Sequence, residues 1–190
     1  MNKYNIKKVA HSIIYFLENN MKHFGKTKLM KLMYFSDKEH LEIYGRTMFF
    51  DDYYKLERGP VANLTLNIIN NINEADNEDL ESYTNDFLNI LDIEIQNDNG
   101  DKITKFIAKS DFNSALFSKS EVSVLEKIST QYNEYTKKEI SDESHLLNEY
   151  KNTELNSIID IEDMVESSDA KEYISYWNNE YKSFNKMIHS

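Results

Sequence analysis

The chain has no cysteine among its 190 residues. That excludes disulfide staples, zinc-finger spacing and a thiol nucleophile, and it suits a reducing compartment. Proline occurs once and glycine four times, so no Pro/Gly/Ser-rich linker divides the sequence and a single domain is expected. No run of about 18 apolar residues occurs, so no membrane span is expected. The opening MNKYNIKKVAHSIIYFLENN is basic, then amphipathic, and lacks the cleavage site of a secretory signal. A cytoplasmic protein is the expectation. Catalytic signatures are missing too: there is no G-x-S-x-G, P-loop, H-E-x-x-H or G-x-G-x-x-G. The histidines at 11, 23, 40, 145 and 189 do not have metal-ligand spacing. Asp51-Asp52 could hold a divalent ion, but neighbours in an extended segment face opposite ways. Glu143, Ser144 and His145 do not converge at adjacent helical positions. No cofactor, no metal and no enzyme activity are expected.

What is present is an apolar content of 40%, enough for a core, and a net charge of −11. The charge is uneven. Residues 1–31 carry seven Lys and one acid, Glu18, whereas the rest carries −17. Such acidity opposes general nucleic-acid binding, which needs phosphate neutralisation. A Lys-rich face at Lys22, Lys26, Lys28 and Lys31 leaves room for weak DNA contact, although a solvated surface is the plainer reading.

Periodicity predicts helices over residues 4–20, 27–44, 60–72, 77–91, 136–150 and 169–188, the last holding Trp177, the sole tryptophan, and one opening at Ser118 with Val122, Leu125 and Ile128 as its apolar stripe. Thr27 and Ser118 read as N-caps, Ser118 in a capping box with Glu121, and Gly45 as a C-terminal stop. The segment 46–59 reads as aromatic and extended, ended by Gly59-Pro60, with Pro60 opening the next helix. Asn99-Gly100 between alternating residues predicts a hairpin over 92–108. The fold class is therefore α+β, mainly α: one compact helical domain with a short hairpin and an aromatic extended segment.

On a helical wheel of residues 28–46, Lys28, Lys31, Lys38, Glu39, Glu42 and Arg46 share a polar sector, and the remainder, including Ile43 and Tyr44, is apolar. Asp37 and His40 fall inside that apolar remainder. A buried carboxylate needs donors; Arg46, Arg58, Tyr34, Tyr53, Tyr54, His40 and the amides of the Gly59-Pro60 turn are candidates. Three readings remain open: a structural polar network, a partner-binding pocket built on it, or an acid/base site. Of Tyr53 and Tyr54, one should face the core and the other a partner or the hairpin.

The stretch KLMKLMYFSDKEHLEIYGRTMFFDDYYKLERGPV resembles the signature of the Panacea domain, the SocA-like antitoxin domain: K-L-x-K-L-x-Y-x-A-D-x-x-H-L-x-x-Y-G-R, then an extended Y-x-x-x-x-x-G-P-V. The matching residues are Lys28, Leu29, Lys31, Leu32, Tyr34, Asp37, His40, Leu41, Tyr44, Gly45, Arg46, Tyr54, Gly59, Pro60 and Val61. FSKSEVSVLEKISTQYNEYTKKEISDESHLLNEYK and IIDIEDM are similar to its later blocks. Ser36 departs from a common Ala and Tyr150 from a common Trp. The resemblance covers most of residues 5–165 and suggests a domain over 1–166 with a C-terminal helix, 167–190, packed on it. It implies a non-catalytic antitoxin that neutralises a cognate toxin by direct protein contact, of a kind also found in prophages and other mobile elements. The alternative is a phage or mobile-element inhibitor of a host defence nuclease, an anti-CRISPR or similar anti-defence protein. Candidate partner-binding or core residues are Asp37, His40, Arg46, Tyr53, Tyr54, Arg58, Gly59 and Pro60, and a homo-oligomer is compatible with the sequence. The acidic segment 74–86 would favour a basic partner.

Overall fold

Apolar residues three and four apart fold the N-terminal third into two helices, α1 (Ile6–Glu18) and α2 (Lys26–Tyr44). The computed structural model describes residues 5–72, 78–98 and 101–176. An antiparallel pair follows, β1 (Tyr53–Leu56) and β2 (Gly59–Ala62), in the register Tyr53↔Ala62 to Leu56↔Gly59. Helices α3 (Asn63–Asn70) and α4 (Glu78–Leu88) lead to a longer hairpin, β3 (Leu91–Asp98) and β4 (Asp101–Ala108). The second half is helical: α5 (Lys119–Tyr132), α6 (Lys137–Leu146) and α7 (Asn148–Asn152), then a helical stretch over 168–176. Among the described residues the architecture is mainly α with two separate two-stranded sheets; the α+β, mainly α class and the longer hairpin agree with the sequence, and the aromatic extended segment gains a partner strand in β2.

Helix α2 is the axis of the fold and packs on α5, α6, β2 and β4. Leu29, Leu32, Met33 and Tyr34 are fully buried on it, each such side chain contributing about 1.5–3 kcal/mol of hydrophobic stabilisation. Gly45 stops the helix as expected, at φ +68. There a Cβ would lie 2.5 Å from the Tyr173 ring, so the 168–176 stretch seats on a glycine. Ala170 and Ile174 bury its inner face, and Glu42 accepts from the amides of Glu166 and Ser167 just before it.

Several expectations change. Thr27 does not cap α2; Gly25 is the N-cap and offers no side chain. Pro60 does not open a helix but sits in β2, opposite Lys55. In a two-stranded sheet both strands are edges, where a residue without an N–H is tolerated, and α3 starts only at Asn63. The helix expected over 136–150 breaks at Leu147, whose extended backbone (ψ 138) separates α6 from α7. The hairpin forms, with Asp98 opposite Asp101, although Asn99 and Gly100 lie outside the described residues, as does Trp177. Ser118 and Glu121 form the expected capping box, and Thr136 and Glu139 form a second on α6 that carries the same S/T-x-x-E signature.

Candidate functional site

The carboxylate singled out on α2 is fully buried and satisfied. Asp37 Oδ1 accepts from the amides of Met48 (2.5 Å) and Phe49 (3.1 Å), and Oδ2 from the Tyr53 hydroxyl (2.8 Å). Burial pushes its pKa up to about 7 against the pull of these three donors. Of the donors expected from sequence only Tyr53 serves. The other two are loop amides, with no side-chain signature to announce them. Phe50, next in that loop, has φ +56, a turn that a bulky residue adopts at a cost of about 1–2 kcal/mol. Beyond it Asp51 accepts from Leu64 N, Thr65 N and Thr65 Oγ1 at 2.7–2.9 Å. Asp51 is therefore the carboxylate at the start of α3, where N-terminal amides need acceptors.

A second acid, not singled out from sequence, fixes the other side of α2. Glu149 on α7 accepts from Tyr34 Oη (2.7 Å) and Lys38 Nζ (2.8 Å). Lys38 Nζ also reaches the Met164 carbonyl at 2.6 Å, which draws its amine inward from the polar sector. The Tyr34 and Tyr53 rings meet edge to face, 5.1 Å between centroids, so the two networks touch.

His40 lies inward, as expected, but does not meet Asp37. Its Nδ1 contacts the Arg46 carbonyl at 2.7 Å and its Nε2 contacts Ser120 Oγ at 3.1 Å. A carbonyl only accepts, so Nδ1 carries the proton and Nε2 accepts from the serine. Burial lowers the His40 pKa, which favours this neutral ring. Arg46 does not reach Asp37 either; it donates to Glu121 Oε1 at 3.0 Å, beside Lys8 Nζ at 2.9 Å. Burial raises the Glu121 pKa, but the Ser118 amide, Lys8 and Arg46 outweigh it and hold the carboxyl below its ordinary range.

The Lys-rich face does not assemble. Lys28 and Lys31, placed outward by the wheel, are 0% and 1% exposed, whereas Ile43 and Tyr44, placed inward, are 56% and 46% exposed. Lys28 Nζ is caged by the carbonyls of Lys22, Asn133 and Tyr135 at 2.7–2.8 Å. Lys31 Nζ donates to the Pro60 carbonyl at 2.7 Å, and burial lowers its pKa to about 7. Lys22 pairs with Glu134 at 2.9 Å and Lys26 reaches Asn70 Oδ1 at 2.7 Å. A lysine with carbonyl acceptors can be internal, and the wheel has no term for that.

Tyr53 faces the core while Tyr54 is only half-buried, its backbone bridged to Ile158. The outer edge of β1 is covered by the loop after α7: Lys55 N donates to Ser157 O, Asn156 N to Lys55 O and Ile159 N to Tyr53 O, at 2.7–2.9 Å. Tyr150 Oη ties the same strand through the Leu56 carbonyl at 2.7 Å. Gly59 has φ +99, and a Cβ there would overlap Ser144 Oγ and lie 2.7 Å from Lys31 Cε. Arg58 stands exposed at the hairpin tip. Between this hairpin, the first turns of α2, Leu66 and Leu155 opens a groove of about 390 Å³. The candidate residues therefore divide. Asp37 and Tyr53 form one buried network, His40 and Arg46 brace the end of α2, Gly59 and Pro60 pack on Lys31, and Arg58 faces out.

A family model described as antitoxin SocA-like, Panacea domain, matches residues 29–151, from the first turn of α2 to α7. No curated protein and no solved structure matches the chain.

Proposed function

The chain belongs to the antitoxin SocA-like family through its Panacea domain, and on that premise we propose that it is a non-catalytic antitoxin that neutralises a toxin partner by direct protein–protein contact. The family match carries this reading. The geometry supports it in one respect: the polar residues of the signature brace the scaffold. Asp37 accepts from loop amides and Tyr53, His40 is taken up by Arg46 O and Ser120, and Arg46 by Glu121. A rigid scaffold lowers the ordering cost of association. The protein would act in the cytoplasm, beside the toxin.

The test is co-expression with the product of the neighbouring gene in the same operon. The expected outcome is growth rescue together with a complex of fixed stoichiometry on size-exclusion chromatography. Protection by sub-stoichiometric amounts, lost in a still-folded His40→Ala variant, would overturn the reading in favour of an enzyme. Absence of rescue, combined with inhibition of a host defence nuclease, would overturn it in favour of an anti-defence protein.

A further inference from the structure

The chain has 33 acidic residues against 22 Lys and Arg, and only two of the latter are arginines, Arg46 and Arg58. Several cations elsewhere on the described surface, such as Lys8, Lys38, Arg46 and Lys127, lie on carboxylates, and Lys55 ends on the backbone carbonyls of Lys151 and Thr153. The two at the mouth of the groove have neither. Arg58 has no ion-pair or hydrogen-bond partner among the described residues, and Lys26 has only the neutral amide oxygen of Asn70. In an acid-rich chain these two cations, beside Lys31, whose amine is spent on the Pro60 carbonyl, make the groove lining locally positive, with Glu57 as its one acid. The floor beneath them is apolar, with Met30, Leu56 and Leu66, and Leu155 at its edge is 51% exposed.

We propose that this groove docks a short segment of the partner protein that carries a carboxylate beside an apolar side chain, the carboxylate pairing with Arg58 and Lys26 and the apolar group packing over Met30 and Leu66. The proposal rests on the partner-binding reading above and names the chemistry of the contact. Charge complementarity selects the occupant: a planar guanidinium matches a carboxylate with two parallel hydrogen bonds, and Arg is enriched where interfaces concentrate their energy. The volume suits one or two side chains, so an inserted segment fits better than a broad flat surface. The walls are fixed before binding. Lys31 holds the Pro60 carbonyl, Tyr150 holds that of Leu56, and the loop after α7 covers the edge of β1.

The experiment pans a random dodecapeptide display library on the full-length chain and on its Arg58→Glu and Lys26→Glu variants, each first checked for an unchanged melting temperature. Enriched peptides should carry Asp or Glu next to Leu, Ile or Phe. The tightest should lose at least about tenfold in affinity on Arg58→Glu, and again when its own acid is changed to Asn or Gln. Enrichment of sequences without an acid, or binding indifferent to both variants, would overturn the proposal. Concentration-dependent self-association abolished by Arg58→Glu would overturn it in favour of a second copy of this chain. The operon assay separates the two layers: if wild type and Arg58→Glu neutralise the toxin equally, the groove proposal fails and the antitoxin reading stands. If wild type neutralises nothing, the antitoxin reading fails, and the peptide selection still decides the groove.

Discussion

Replacing Asp37 with Ala lowers the unfolding free energy by about 2–4 kcal/mol, measured by urea denaturation, because three buried donors lose their acceptor at once. Two of them are backbone amides, of Met48 and Phe49, and the third is the Tyr53 hydroxyl; none has water to turn to. Asp37→Asn is expected to cost less, since the amide oxygen still accepts from the backbone and its NH2 group can donate to the tyrosine oxygen. The pH dependence separates the two contributions. Burial lifts this carboxyl from its ordinary 3.8 to about 7, so between those values the folded chain binds the proton more than the unfolded chain does. Stability therefore falls as pH rises from about 4 to about 7. In Asp37→Asn that component of the slope is absent. Equal midpoints for wild type and Asp37→Ala, or identical pH profiles for wild type and Asp37→Asn, would contradict this account.

Gly59→Ala is the second substitution with a large expected effect. The residue has φ +99 and a Cβ would overlap Ser144 Oγ and press on Lys31 Cε. Backbone strain of about 1–3 kcal/mol adds to a similar cost of overpacking, so a loss of about 3 kcal/mol or more is expected. Ser144→Ala in the same chain removes one of the two obstacles and should recover part of that loss, a coupling that a double-mutant cycle reads directly. Full additivity of the two changes would mean that the hairpin moves away from α6 rather than colliding with it.

The sequence carried the helices, because α1, α2 and α5 each repeat their apolar residues at three and four, and because Gly45 and the Ser118–Glu121 box mark ends by local chemistry. It carried Asp37 as well, the sole acid on an apolar face. It did not carry the fate of the lysines. Lys28 is internal only because carbonyls of Asn133 and Tyr135, about a hundred positions away, converge on its amine, and a wheel sees one helix at a time. Gly59-Pro60 is ambiguous for a similar reason: a proline fits the first turn of a helix and an edge strand equally well, and the choice falls to the pairing of Lys55 with Pro60. The groove was illegible, since Lys26, Arg58, Leu66 and Leu155 come from four separate segments. Arg58 stands out in the sequence only as a residue type; that the other arginine, Arg46, pairs with Glu121 while Arg58 lines a groove is visible only in the folded chain.

The loop between α2 and β1 has one more consequence. Its amides at Met48 and Phe49 belong to no helix or strand, yet both end on a carboxylate with no solvent exposure. Solvent deuterium should reach them only when α2 itself comes apart, so in hydrogen exchange they ought to be as slow as the central amides of α2 and far slower than an ordinary connecting segment. A loop that exchanges on the timescale of global opening is a clock for the whole domain, and Asp37→Ala would set it running fast.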